Sequence, residues 1–182
     1  MRIITGRYKG RNLFMVEGKT TRPTTAFNRE VIFSSWQEYQ DKRVLDLFAG
    51  TGSFGLEALS RGAEWVDFVE FAPAAISILL KNIGLLGCGK DCHVWRKRAD
   101  AFLKDAEQAW DIIFLDPPYS KNLVNPTLRL IRDRRLLAPG GVVIAEHSPL
   151  EPPADEFLPL LIKSKNGKTS SFSLFGDISG GD

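Results

Sequence analysis

The stretch Asp46–Gly55, "DLFAGTGSFG", follows a short apolar run and leads into a segment whose apolar residues recur at helical spacing. Gly50, Gly52 and Gly55 within it keep the G-x-G-x-x-G spacing of a turn that cradles a dinucleotide pyrophosphate between a strand and a helix. One residue does not suit that ligand: Asp46, a carboxylate four positions before the first glycine. Strand, glycine turn and helix together form the first unit of an alternating chain.

Outward from it, apolar runs predict further strands at Trp65–Glu70, Cys92–Arg96, Asp111–Leu115 and Gly141–Glu146, after a first at Arg43–Phe48. Helical periodicity falls between them, at Ser53–Arg61, Ala72–Leu86, Ala101–Glu107 and Leu123–Arg132, with Ser53 placed to cap its helix. Strands that alternate with helices pair in parallel through right-handed crossovers, which predicts an α/β, Rossmann-like, doubly wound sheet. Past residue 150 the rhythm changes. "PLEPPADEFLP" is a proline-rich connection, and Leu160–Lys165 and Ser171–Phe175 flank "NGK" as a C-terminal antiparallel hairpin. The tail "GDISGGD" is too polar and glycine-rich to pack. Before residue 43, Arg2–Thr5 and Arg11–Val16 predict a small β-ribbon, "TRPTT" a loop, and Ala26–Tyr39 a helix. The expected division is a basic appendage over residues 1–42, a core over 43–176 and a loose tail over 177–182.

A chain of 182 residues with 43% hydrophobic and 25% charged residues is ordinary for one soluble domain. No apolar run approaches the roughly 20 residues that span a bilayer. "MRIITGRYKGRNL" lacks the apolar core of a secretion signal, so a cytoplasmic location without membrane contact is expected. Cys88 and Cys92 are the only cysteines; with His93 beside them they lack a fourth ligand, and reduced structural thiols without a metal are expected. Charge is uneven. Residues 1–29 hold Arg2, Arg7, Lys9, Arg11, Lys19, Arg22 and Arg29 against one acid, Glu17, leaving the remaining 153 residues at −4. A basic N-terminal segment of that kind suits a polyanion, nucleic acid above all.

What the glycine turn holds follows from charge. A pyrophosphate beside Asp46 would meet like charge at close range. S-adenosylmethionine instead carries a sulfonium and an ammonium, and Asp46 pairs with the ammonium while the glycines admit the backbone. Glu70, at the end of "WVDFVE", is placed to accept ribose hydroxyls, which supports any nucleoside. Asp100, with Ala101 beside it in "RADAF", is placed for an adenine amino group, or else to cap the following helix. Phe48 and Phe71 read as core or cofactor-adjacent apolar surface.

Asp116-Pro117-Pro118-Tyr119 directly follows the apolar "DIIFL". Two prolines stiffen the corner and remove two backbone donors, leaving acceptors. Asp116 and the Pro117 carbonyl are then placed to accept from an exocyclic amine. Tyr119 offers a face for a flipped-out base, a contact worth about 1–3 kcal/mol. Methyl transfer from a sulfonium asks mainly for alignment of nitrogen, carbon and sulfur, with no metal. His147 in "AEHSP" reads as a positioning or structural group, and Arg129, Arg132, Arg134 and Arg135 as a solvated helix end. Trp36, Trp65, Trp95 and Trp110 read as packing residues.

"VLDLFAGTGSFGLEALSRGA", "FVE", "DIIFLDPPY" and "LAPGGVVIAEH" together resemble the class I methyltransferases that carry a D/N-PP-Y/F motif. More narrowly, "MRIITGRYKGRNL", "TRPTT…RE" and "NGKTSSFSLF" resemble the RsmD-like bacterial small-subunit (16S) ribosomal RNA guanine-N2 methyltransferases, over about residues 1–175. The resemblance implies cofactor contacts at Asp46, Gly50, Gly52, Glu70 and Asp100, and base recognition at Asp116 to Tyr119. It implies RNA contacts at Arg7, Lys9, Arg11, Arg22 and Thr24, a basic set that Arg29 extends. It also implies ribosomal RNA or the small ribosomal subunit as partner, and a monomer is expected. Where the family shows Asp-Arg after "TRPTT" this chain has Ala26 and Phe27, and Asn166 replaces the hairpin tyrosine. The first change falls in the segment assigned to the RNA, so cofactor binding is not expected to follow it. Three rivals remain: an adenine-N6 methyltransferase, a NAD-dependent oxidoreductase, and a catalytically silent RNA-binding assembly factor.

Overall fold

The computed structural model describes residues 1–16 and 23–178, with the backbone alone for 23–28. Seven strands form one sheet: β1 (Arg43–Asp46), β2 (Trp65–Val69), β3 (Cys92–Trp95), β4 (Trp110–Leu115), β5 (Leu137–His147), β6 (Leu161–Lys165) and β7 (Ser171–Gly176). Their order is β3-β2-β1-β4-β5-β7-β6; β1 to β5 run parallel, and β7 and β6 close the edge antiparallel. The helices are α1 (Pro23–Ser35), α2 (Ser53–Ser60), α3 (Pro73–Leu86), α4 (Ala99–Asp105) and α5 (Val124–Asp133). The chain leaves β1 toward β2 on one side and returns to β4 on the other, so the switch point lies between β1 and β4.

Side chains alternate across a strand, which sorts the sheet into two faces. Val44, Ile112, Phe114 and Ile144 bury one face under α2, α3 and the N-terminal segment. Leu45, Ile113, Leu115 and Val143 bury the other under α4 and α5. Asp46 pairs in register with Phe114, and Phe114 with Ile144. Asp116 and Glu146 lie two residues beyond Phe114 and Ile144, so all three acids belong to the first face.

Helix α2 is buried on every side: Phe54 to Ser60 are all inside, Glu57 among them. Gly55 is required by space, because a Cβ there would collide with the Phe68 ring and Val66 of β2. Glu57 binds the N-terminal segment. Its carboxylate accepts the Ile4 N–H at 2.7 Å and the Thr5 N–H at 3.0 Å, and pairs with Arg29 at 3.4 Å and Arg61 at 2.9 Å. Gly6 then passes so close to Ser60 that any Cβ would strike its carbonyl. Further along, the Asn82 amide donates to the carbonyls of Phe14 and Thr51, at 3.1 and 2.9 Å, while its oxygen accepts the Phe14 N–H at 2.8 Å. Ile3, Leu13, Ile32, Phe33 and Tyr39 join the first-face core. The described part of the N-terminal segment therefore packs into the sheet's own core.

Several expectations need correction. The β-ribbon reduces to a single bridge, Arg2 with Asn12. The N-terminal helix begins at Pro23 and ends at Ser35, so part of "TRPTT" is helical; proline suits a first turn, where its missing N–H costs nothing. Ser53 does not cap α2, since Gly52 holds that position in a left-handed conformation. β5 starts earlier than Gly141, at Leu137, which pairs with Trp110 before an irregularity in register. The tail is not wholly loose, because Ile178 is fully buried in the second core. Trp65, Trp95 and Trp110 lie in strands as packing residues, but Trp36 falls just past α1. Cys88 and Cys92 are buried free thiols, and among the described residues no cluster of His, Cys, Asp and Glu is placed to hold a metal. No described helix is long and apolar enough to cross a membrane.

Candidate active site

The glycine turn sits where the sheet's strand ends converge. Asp46, 2% exposed, accepts the Gly55 N–H through Oδ2 at 2.8 Å. That contact ties the end of β1 to the first turn of α2. Burial pushes its carboxyl up to about 7, with Glu70 adding and the Gly55 N–H and Arg29 opposing. Among the described residues Asp46 forms no ion pair, so a cation arriving at the mouth of the turn would meet an acid with no ion-pair partner. The positive sulfonium and ammonium groups of S-adenosylmethionine fit such a site; a pyrophosphate does not.

Glu70 lies at the end of β2 as expected, but most of its acceptor capacity is used by backbone. Oε2 accepts the Gly50 N–H at 2.8 Å, and Oε1 accepts the N–H groups of Phe71 and Ala72, each at 2.8 Å. An ionised carboxylate has about four acceptor positions, so roughly one remains for a ribose hydroxyl. Glu70 therefore also shapes the turn, through its bonds to Gly50, Phe71 and Ala72. Phe71 beside it is 60% exposed, while Phe48 is half-buried against the second core. Asp100 and Ala101 stand exposed in the first turn of α4, whose cap is Arg98. Asp100 is therefore not the N-cap residue, and it pairs with Arg98 at 3.1 Å.

The Asp116–Tyr119 corner ends β4 across the switch point from the glycine turn. Burial holds the Asp116 carboxyl well above the usual carboxylate range, and the charges of Glu146 and Asp46 add to it. Pro117 is buried, Pro118 is exposed, and Tyr119 is half-buried between them and β5. The Tyr119 hydroxyl donates to Glu146 at 3.2 Å, and Ser170 donates to the same oxygen at 2.6 Å. Beyond Tyr119, Ser120 and Asn122 both adopt positive φ, 60° and 50°. Their N–H groups donate to the Glu151 carboxylate at 2.9 and 2.8 Å, which pins this strained loop.

Sequence reasoning missed Glu146, Glu151, Glu57 and Asn82. Glu57 carried a signal, an acid flanked by leucines and alanine in a mostly apolar helix. Glu146 carried one too, since it closes the apolar run "GVVIAE" in the same way that Asp116 closes "DIIFL". His147 is 3% exposed, with Nδ1 3.1 Å from the Ser148 carbonyl and Nε2 3.0 Å from Ser173 Oγ. A proton assigned to Nδ1 satisfies both contacts, and burial keeps the ring's pKa below the ordinary value, hence neutral.

The basic residues divide. Lys9 and Arg11 are exposed; Arg7 is 46% exposed, pairs with Asp91 at 2.8 Å and lies 4.6 Å over the Tyr8 ring. Arg29 does not belong to an RNA surface. It is 3% exposed and donates to the Arg2 and Ser53 carbonyls and to Glu57, so its charge holds the fold together. Arg22 and the side chains of Thr24, Ala26 and Phe27 lie outside the described residues. Arg129 and Arg132 pair with Glu156, and Arg134 donates to the Ala106 carbonyl. Asn166 is exposed in the loop that joins β6 to β7.

A parallel sheet with this strand order, an antiparallel closing hairpin, and acids at the ends of β1, β2 and β4 is the fold of the class I S-adenosylmethionine-dependent methyltransferases. Among solved structures, an Escherichia coli methyltransferase candidate, yhhF, superposes with a TM-score of 0.85 at 31% identity, over 96% of each chain. The chain belongs to the family described as Conserved hypothetical protein 95, the RsmD family, whose model matches residues 1–174. It is 42% identical over 151 residues to YlbH of Bacillus subtilis, an rRNA methyltransferase candidate, covering 81% of this chain and 82% of that one. It is 36% identical over 148 residues to ribosomal RNA small subunit methyltransferase D of Escherichia coli, covering 80% of this chain and 74% of that protein.

Proposed function

We propose that this protein, acting as a monomer in the cytoplasm, transfers a methyl group from S-adenosylmethionine to the exocyclic N2 amine of a guanine in small-subunit ribosomal RNA. The observation that carries the reading is the face shared by Asp46 and Asp116. Two carboxylates at adjacent strand ends point the same way, and among the described residues neither forms an ion pair. When bound, S-adenosylmethionine supplies a methyl group already activated on a sulfonium. Asp46 then answers the donor's positive charge, Glu70 and the glycine turn shape its nucleoside pocket, and Asp116 with the Pro117 carbonyl accepts hydrogen bonds from the base amine. Tyr119 holds the base plane. The names of the relatives support ribosomal RNA as the substrate, and the motif's match to amino-group chemistry supports the nitrogen.

The binding test uses the sign of the Asp46 shift. Raised from 3.8 to about 7, this group contributes stability at acidic pH that is lost as pH rises through about 7 in the free protein. A cation binds the ionised form, so calorimetry should show S-adenosylmethionine binding tighten by up to about tenfold per pH unit from 5.5 to 7 and level off above. Asp46→Asn should bind weakly with no such slope. Binding of NAD in place of S-adenosylmethionine would end this reading.

Arg7, Lys9 and Arg11 are assigned to the RNA as an exposed basic edge. Changing all three to alanine should weaken rRNA binding and lower its log–log salt slope by up to about 0.9 per lost phosphate contact. Because Arg7 is partly answered by Asp91, most of that loss should come from Lys9 and Arg11. An unchanged slope would remove this edge from the interface.

A further inference from the structure

Glu146 has no part in the reaction as described so far, yet it occupies the position on β5 that Asp116 occupies on β4. The two strands pair in parallel with Leu115 opposite Ala145, so Asp116 and Glu146 follow as neighbours at their ends. Both line one small apolar void with Ile32, Phe54, Phe114 and Ile144. Glu146 is 5% exposed, and one of its oxygens accepts both the Tyr119 hydroxyl at 3.2 Å and the Ser170 hydroxyl at 2.6 Å. A buried acid beside another acid is costly, and apolar residues of similar size would cost less.

We propose that Glu146 is a positioning residue of the methyl transfer: it holds Tyr119 by its hydroxyl and presents the negative charge against which the Asp116 carboxylate works. The inference rests on the reading of Asp116 and Tyr119 as the base-binding corner. It gives Glu146 two effects. The hydroxyl contact fixes the plane of the Tyr119 ring on which a base stacks, lowering the cost of ordering that ring when RNA arrives. The charge makes ionised Asp116 a stronger proton acceptor, in line with the upward displacement of its carboxyl. As the N–C bond forms and the C–S bond breaks with its electron pair going to sulfur, the amine sheds one proton. Asp116 takes that proton and passes it to solvent.

Asp46 faces Asp116 from β1 and Glu146 from β5, and Tyr119 lies on its own loop. Glu70 and Arg29 act on Asp46 from the end of β2 and from α1. His147 is held by Ser148 and by Ser173 of β7.

The test uses the full-length protein, S-adenosylmethionine and small-subunit rRNA in single-turnover methylation from pH 5.5 to 8.5. Glu146→Gln keeps an oxygen for both hydroxyls and removes the charge. Its acid limb should move to lower pH, so the ratio of the pH 6 rate to the pH 8 rate rises about threefold, the effect of half a pKa unit. Tyr119→Phe removes only the hydroxyl. It should raise the RNA KM about tenfold and leave the acid limb in place. A folded Glu146→Gln protein with the parent's pH profile would overturn the proposal. So would a Tyr119→Phe protein with the parent's KM, which decides the matter if Glu146→Gln fails to fold. Absence of rRNA methylation in the parent protein would instead count against the proposed function.

Discussion

Replacing Asp116 with alanine is expected to cut single-turnover methylation by about 10²–10⁴-fold while S-adenosylmethionine affinity stays within a few-fold. The separation follows from where each contact is made. Asp46 is tied to Gly55 and Glu70 to Gly50, on the β1 and β2 side of the switch point, and neither contact involves Asp116. The variant should also fold at least as well as the parent. Asp116 binds its proton more tightly in the folded chain than its ordinary value allows, so at neutral pH the native state carries a cost that alanine removes. A melting temperature equal to or above the parent's, with methylation lost, fits this account. Retained methylation, or loss of donor binding together with activity, would show that the corner does something else.

Glu57→Ala should destabilise the protein by about 3–5 kcal/mol, lowering its melting temperature by on the order of 10 °C. The carboxylate is fully buried and answers four donors at once. Its removal leaves the Arg29 guanidinium, itself 3% exposed, without a counter-charge and two backbone N–H groups without an acceptor. The damage should concentrate at the N-terminal segment, since Ile4 and Thr5 lose their attachment. Limited trypsin digestion would then cut faster after Arg7, Lys9 and Arg11. A loss below about 1 kcal/mol, or an unchanged cleavage rate, would mean that Ile3 and Leu13 dock the segment by apolar contact alone.

The parallel sheet was legible because short, nearly continuous apolar runs such as "DIIFL" and "WVDFV" are the local mark of strands buried on both faces. The closing hairpin was legible from the "NGK" between its two strands. Asp46, Glu70 and Asp116 could be placed because each stands just past such a run. What escaped were groups whose partners are far away in the chain. Arg29 looked like part of a basic arm, and only the approach of Glu57, 28 residues on, turns it inward. Glu70 looked like a free nucleoside acid, yet the curl of the chain at Phe71 and Ala72 brings backbone donors onto it. Ile3 still pairs with Gly10 and Arg11, and Leu13 with Met1, but Ile4, Thr5 and Tyr8 turn their N–H groups to α2, which keeps the β-ribbon to one bridge. Glu146 was overlooked because its importance depends on strand order, which apolar spacing does not encode.

Asn82 stands on α3 at the crossing of two loops that carry different duties. With one amide it grips the strap at Phe14 on one side and the first bend of the donor pocket at Thr51 on the other. Both loops thus hang from a common peg. Pulling the strap outward while the bend keeps its place would break hydrogen bonds of that one side chain, so the two loops keep their positions together.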